Sequence, residues 1–149
     1  MDSAKKFIVR VYAFMLNNQN ELLLAEEFHF DMFMRKFPGG GLQFGEGPED
    51  ALRRELKEEL DIEVQIGRHL HTTDIFIPSA FNSDHQVIGI YYEVAVPPGL
   101  EARFREINKN NWKNGDVTFA WKALDEIQSV NLTFPMDIRA LEVFLAPRR

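Results

Sequence analysis

The chain has 149 residues, of which 45% are hydrophobic and 13 are phenylalanine, with a formal charge of -6 and no cysteine. That length supports one domain with a real core and leaves little room for two. The missing cysteines exclude a disulfide framework, a zinc–thiolate site and thiol redox chemistry, and the acidic balance disfavours long nucleic acid while leaving a single Mg²⁺-neutralised nucleotide open.

Residues 7–16 form an apolar run that carries Arg10, is too short to span a bilayer and has no small-residue cleavage site after it. The expectation is a cytoplasmic protein with no membrane partner. Asn17-Asn18-Gln19-Asn20 reads as a turn, and residues 21–26 as a second strand, so the two strands are expected to pair as a hairpin. Arg35-Lys36-Phe37 is a short apolar-basic strand that runs through Pro38 into Gly39-Gly40-Gly41. A helix over 48–60 comes next, followed by strands at 62–66, 70–77 and 86–96, the last stopped by Pro97-Pro98-Gly99. The polar stretch up to Gly115 is expected to be mobile, and 116–121 reads as one more strand. Helices over 124–130 and 135–145 finish the chain, the second opened by Pro135. The order is that of an α/β (α+β) fold, a mixed sheet flanked by helices, with no repeat or linker.

The helix over 48–60 carries the chemistry. Pro48, Glu49 and Asp50 suit a first turn, and Gly45-Glu46-Gly47 opens it. At about 100° per residue, Leu52, Leu56 and Leu60 define an apolar arc; Glu59 falls about 20° and Glu55 about 60° from Leu52, with Glu58 at the edge. Carboxylates held this close repel one another and each resists burial unless a cation joins them. Hard oxygen ligands on a rigid element suit Mg²⁺ or Mn²⁺, which keep several waters and share positions with substrate phosphates. The bland alternative is a solvated acidic face paired with Arg53, Arg54 and Lys57; the angular positions of Glu55 and Glu59 argue against it. The glycine turn before the helix lets backbone approach a ligand closely, and a glycine carbonyl is a possible metal ligand there.

Gly40, five residues, Glu46, seven residues, then Arg54-Glu55-Leu56-Lys57-Glu58-Glu59-Leu60-Asp61-Ile62 resembles the signature of the Nudix hydrolases. The one departure is Asp61, where that family has glycine; aspartate is among the few other residues that enter the left-handed conformation at modest cost. The resemblance implies an α/β/α sandwich, with the Gly39 carbonyl and the Glu55, Glu58 and Glu59 carboxylates on Mg²⁺, Mn²⁺ being a possible substitute. It implies Arg54 paired with Glu46 to orient the site, Gly40 shaping the turn, and Glu55 as the first choice of base. The reaction implied is hydrolysis of a diphosphate linkage in a nucleoside diphosphate joined to another group, by attack of a metal-activated water on phosphorus. The stretches Trp121-Lys122-Ala123-Leu124 and Leu132-Thr133-Phe134-Pro135 also resemble that family's C-terminal part, and many of its members pair into homodimers.

Substrate choice lies outside this motif. Arg35 and Lys36 can meet a phosphate or be solvated surface bases, and Asp116 can be a loop ligand or a turn residue. Asn131 can read a base edge or cap the last helix. His71, Asp84 and His85 flank residues 76–82, where Phe76 and Phe81 can stack on a base, although core packing is the expected task of phenylalanines in a chain so rich in them. Three function classes follow. A Mg²⁺-dependent hydrolase acting on a nucleoside triphosphate, an oxidised nucleotide or a nucleotide sugar leads. A non-catalytic nucleotide-binding module would be expected to have lost one of the three glutamates, and a prenyl diphosphate isomerase resembles longer chains with a site cysteine.

Overall fold

The computed structural model describes residues 5–105, 113–129 and 132–147. In chain order these form β1 (Lys6–Phe14), β2 (Glu21–His29), β3 (Met32–Lys36), β4 (Gly39–Gly41), α1 (Pro48–Leu60), β5 (Ile66–Thr72), β6 (His85–Val94), β7 (Asp116–Ala123), α2 (Leu124–Ser129) and α3 (Pro135–Leu145). Two sheets result. A mixed one runs β4-β1-β6-β5, with β1 parallel to β6 and antiparallel to β4, and an antiparallel one runs β3-β2-β7.

Alternation along the strands explains the layers. On β1, Val11 and Ala13 join Leu23 and Ala25 of β2 in packing on Ala51, Leu52, Leu56 and Leu60 of α1. Their neighbours Tyr12 and Phe14, with Leu22 and Leu24, face Met136, Ala140 and Leu141 of α3. Both faces of these strands are therefore covered, which is why 11–15 and 22–25 read as continuous apolar runs with every residue buried. The α/β/α sandwich is as expected.

The expected hairpin between 7–16 and 21–26 is not formed. The turn at 17–20 is present, with Asn17 Oδ1 accepting the N–H groups of Gln19 and Glu21 at 3.0 and 2.9 Å. Beyond a Leu16–Leu22 bridge the strands part, because both edges of β1 are already paired with β4 and β6, so β2 enters the second sheet. The hairpin that does form joins β2 to β3 across Phe30 and Asp31, both at positive φ (50° and 57°), the conformation of a type I′ turn. Strand β5 also lies earlier than the expected 70–77, and 73–84 is a loop bridged to β6 at Pro78–Gln86. No described helix is long and apolar enough to cross a membrane.

Candidate active site

Helix α1 spans the expected residues. Gly47 caps it and donates its N–H to Asp50 Oδ2 at 3.2 Å; at the other end Asp61 takes the left-handed conformation (φ 55°) and donates its N–H to Lys57 O at 3.0 Å. Lys57 Nζ lies 2.9 Å from the Asp61 carboxylate, and Arg103 Nη1 donates to the Leu60 carbonyl at 2.7 Å. Aspartate thus performs the turn that glycine makes in the Nudix signature, with added ion pairing.

Arg54 ties the site together. Its Nε and Nη2 grip Glu46 at 2.6 and 2.9 Å, while Nη1 reaches Glu55 at 3.0 Å and Glu58 at 3.3 Å. Nη2 also donates to the Gly41 carbonyl at 3.0 Å, so one guanidinium joins the entry loop, the helix and β4. Glu46 in turn accepts the Gln43 N–H at 3.0 Å, and the Arg54 guanidinium holds its carboxyl below the ordinary range. The expected Arg54–Glu46 brace is present as a bidentate pair, the strong form of such a contact.

Gly40 matters through space, not through its φ. A Cβ at this buried position would overlap the Glu55 carboxylate, and one at Gly39 would overlap the Val11 carbonyl. The carboxylate is the movable party at Gly40. Gly40→Ala is therefore expected to lower activity at least about tenfold while changing stability by no more than about 1 kcal/mol, read by turnover assay and urea unfolding on the same sample.

Glu55 is half-buried, whereas Glu58 is 58% exposed and turned toward Arg54. Glu59 is exposed to solvent, yet partial desolvation and then the charge of Glu55 push its carboxyl up to about 7; Lys36 and Arg10 pull the other way. Among the described residues no three His, Asp or Glu side chains are grouped closely enough to hold a metal ion by themselves. The donor set nevertheless fits Mg²⁺, which is held by one or two carboxylates plus waters and substrate phosphates and not by an all-protein cage.

A cavity of about 680 Å³ opens between the two sheets, lined by Arg10 and Tyr12 of β1, Glu27 and His29 of β2, Lys36 of β3, the 75–81 loop and the start of α3. The helix glutamates are not among its lining residues, but two of them lie within electrostatic reach of that lining: Lys36, Arg10 and Glu27 act on the charge of Glu59, and Glu55 acts on that of Arg10. Phe76 and Phe81 line its mouth and are 69% and 53% exposed, so core packing is not their task. Phe81 meets Phe30 of the β2–β3 turn at 5.2 Å between ring centroids. The floor carries a buried polar column, in which Tyr12 stacks on Tyr91 at 5.0 Å and the Tyr91 hydroxyl donates to Asp137 Oδ1 at 2.5 Å.

The other sequence candidates divide. Lys36 lines the cavity but is paired with Glu27 at 2.6 Å, and His85 lines it as well. Arg35 is paired with Glu26 at 3.2 Å and lies over the Phe33 ring. Asp116 opens β7 and accepts the Lys113 N–H at 3.0 Å, a turn contact. His71 is buried behind the cavity against Tyr91 and Asp74, where burial lowers its pKa. Asn131 lies outside the described residues. Sequence reasoning missed Arg10, Tyr12 and Glu27; the signal available was a charged residue spaced two from a tyrosine on one face of an otherwise apolar strand.

A family model for the NUDIX domain matches residues 6–142, so the chain belongs to the NUDIX family. Its fold is similar to that of the E. coli ORF135 protein, at 24% identity over 94% of this chain and 89% of that one, TM-score 0.68. It is also similar to the MutT protein from Methanosarcina mazei Go1, at 21% identity over 96% of each chain, TM-score 0.69. A third likeness is to the DNA mismatch repair protein MutT of methicillin-resistant Staphylococcus aureus 252, at 25% identity over 93% and 95% of the two chains, TM-score 0.60.

Proposed function

We propose that the protein hydrolyses a diphosphate linkage in a nucleoside diphosphate joined to a further group, with Mg²⁺ as the working cation. The observation that carries this reading is the glutamate helix itself, where Arg54 gathers Glu46, Glu55 and Glu58 beside the glycine turn, with Arg10 and Lys36, which act on the charge of Glu59, in the wall of a cavity large enough for a nucleoside. Glu55, Glu58, Glu59 and the Gly39 carbonyl are the groups that would hold the cation, which when bound acidifies water and offsets charge on the phosphoryl oxygens.

The chain's own residues supply the rest. Glu55, held by Arg54 Nη1 at 3.0 Å, is the group that would take the proton of the attacking water. The apolar walls, with Ile8, Ile77, Val87 and Met136 among them, exclude water from the nucleoside, and Phe76 and Phe81 offer faces for a base. Candidate substrates are nucleoside triphosphates, oxidised purine nucleotides and nucleotide sugars.

Purified protein would be screened against these classes and dinucleotides with Mg²⁺, Mn²⁺ or EDTA, and product masses read. The expected result is metal-dependent release of phosphate- or diphosphate-containing products that collapses in Glu58→Gln and Glu59→Gln. Tight nucleotide binding with no turnover on any substrate would replace the hydrolase reading with that of a binding module.

A further inference from the structure

Most of the cations around the glutamate helix and the cavity are already matched by carboxylates. Lys36 is paired with Glu27 at 2.6 Å, Arg35 with Glu26 at 3.2 Å, and Arg54 with Glu46 at 2.6 Å and Glu55 at 3.0 Å. Arg10 differs. Among the described residues no carboxylate lies within ion-pair reach of its guanidinium, and its one side-chain hydrogen bond runs from Nε to Tyr12 Oη at 2.7 Å.

Among the described residues, that bond leaves the Nη1 and Nη2 groups of this half-buried arginine of the cavity wall without a side-chain partner. The side chain is also preset. Its guanidinium lies over the Tyr12 ring at 5.6 Å, and Tyr12 is itself held by the stack on Tyr91 and by the Tyr91 hydroxyl bonded to Asp137. Strand register puts Arg10 opposite Gly41, one residue from the glycine that makes room for the Glu55 carboxylate. Burial disfavours its charge, but Tyr12, Glu55 and Asp137 outweigh this and hold it firmly cationic. A guanidinium near carboxylates yet not bonded to them is matched by a ligand that brings its own negative charge.

We infer that Arg10 is a substrate-contact residue, whose Nη1 and Nη2 hold a non-bridging oxygen of the substrate's diphosphate beside the glutamate helix, with Tyr12 as its positioning residue. This rests on the hydrolase reading and adds to it the residue that anchors the phosphates. The alternative is that Arg10 only offsets the charge of Glu55 and Glu59. The two differ in what its removal does: an anchor loses the anion, while a mere neutraliser leaves anion affinity intact.

The experiment uses the full chain and two probes, Mn²⁺ alone followed by electron paramagnetic resonance, and inorganic diphosphate with Mg²⁺ followed by titration calorimetry. Arg10→Gln is expected to weaken diphosphate binding by at least about tenfold, Arg10→Lys and Tyr12→Phe by smaller factors, with Mn²⁺ affinity unchanged or tighter once a nearby cation is gone. Diphosphate affinity within about twofold of the parent in Arg10→Gln, alongside normal Mn²⁺ binding, overturns the assignment and leaves the hydrolase reading standing. A parent chain that binds neither probe overturns both. Should Arg10→Gln fail to fold by circular dichroism, Arg10→Lys and Tyr12→Phe decide, and parental diphosphate affinity in both overturns the inference.

Discussion

Glu59→Gln is expected to lower kcat for metal-dependent nucleotide hydrolysis by about two to four orders of magnitude without weakening the fold. Glu59 and Glu55 repel one another on the same helix, and the cost shows in the Glu59 carboxyl, which partial desolvation and its neighbour push up to about 7. Glutamine removes one of the two opposed charges at nearly constant volume. Stability should therefore hold or rise slightly while activity falls, the pattern of a site whose strain serves function. Urea midpoints and kcat measured on the same preparation separate the two effects. A kcat within about tenfold of the parent would remove Glu59 from the metal site.

Asp137→Asn is expected to change how stability depends on pH. Asp137 is 1% exposed, with Oδ2 lacking a hydrogen-bond partner, and burial raises its pKa from 3.8 to about 6 against the pull of the Tyr91 hydroxyl, the Phe37 N–H, Lys36 and Arg10. Below the unfolded value the carboxyl is protonated in both states, so it makes no difference. Between the two values the folded chain keeps a proton that the unfolded chain has released, and stability declines as pH rises. Above about 6 the folded state carries a constant deficit of about 3 kcal/mol from this one group. The amide variant has no such term and keeps an oxygen for the Tyr91 hydroxyl. Relative to the parent it should therefore gain up to about 3 kcal/mol between about pH 4 and about pH 7.5, read by urea unfolding across that range. Parallel profiles for the two proteins would mean that Asp137 is ionised at no cost, with a counter-charge the column does not contain.

The parts legible in the sequence are those decided within a few residues. Helix α1 begins at Pro48 and ends at Leu60 as its periodicity and first-turn residues require, and Asp61 takes the left-handed turn that its short polar side chain tolerates. Helix α3 follows Pro135 for the same local reason. The Arg54–Glu46 pair spans eight positions, a distance a loop and two helical turns bridge without help from the rest of the fold.

Strand partners were not legible. The turn at 17–20 says that the chain reverses but not that β1 already has a partner on each edge, since those partners lie far along the sequence. The β2–β3 turn was hidden because Phe30 adopts a positive φ that bulky residues avoid, and its ring finds Phe81 only in the folded chain. Phe76 and Phe81 looked like core because composition cannot say which phenylalanines a loop carries outward.

The sequence by itself determined the glutamate helix, its ends and which of its carboxylates share a face, because spacing along one helix sets that; the class of chemistry followed from the resemblance to the Nudix signature. Only the tertiary structure decided which charges remain for a substrate. Arg35 and Lys36 are neutralised by glutamates on β2, while Arg10 is brought to the same cavity with its Nη groups uncommitted among the described residues. Pairing between strands is set by register across sheets, and no local pattern in the chain encodes it.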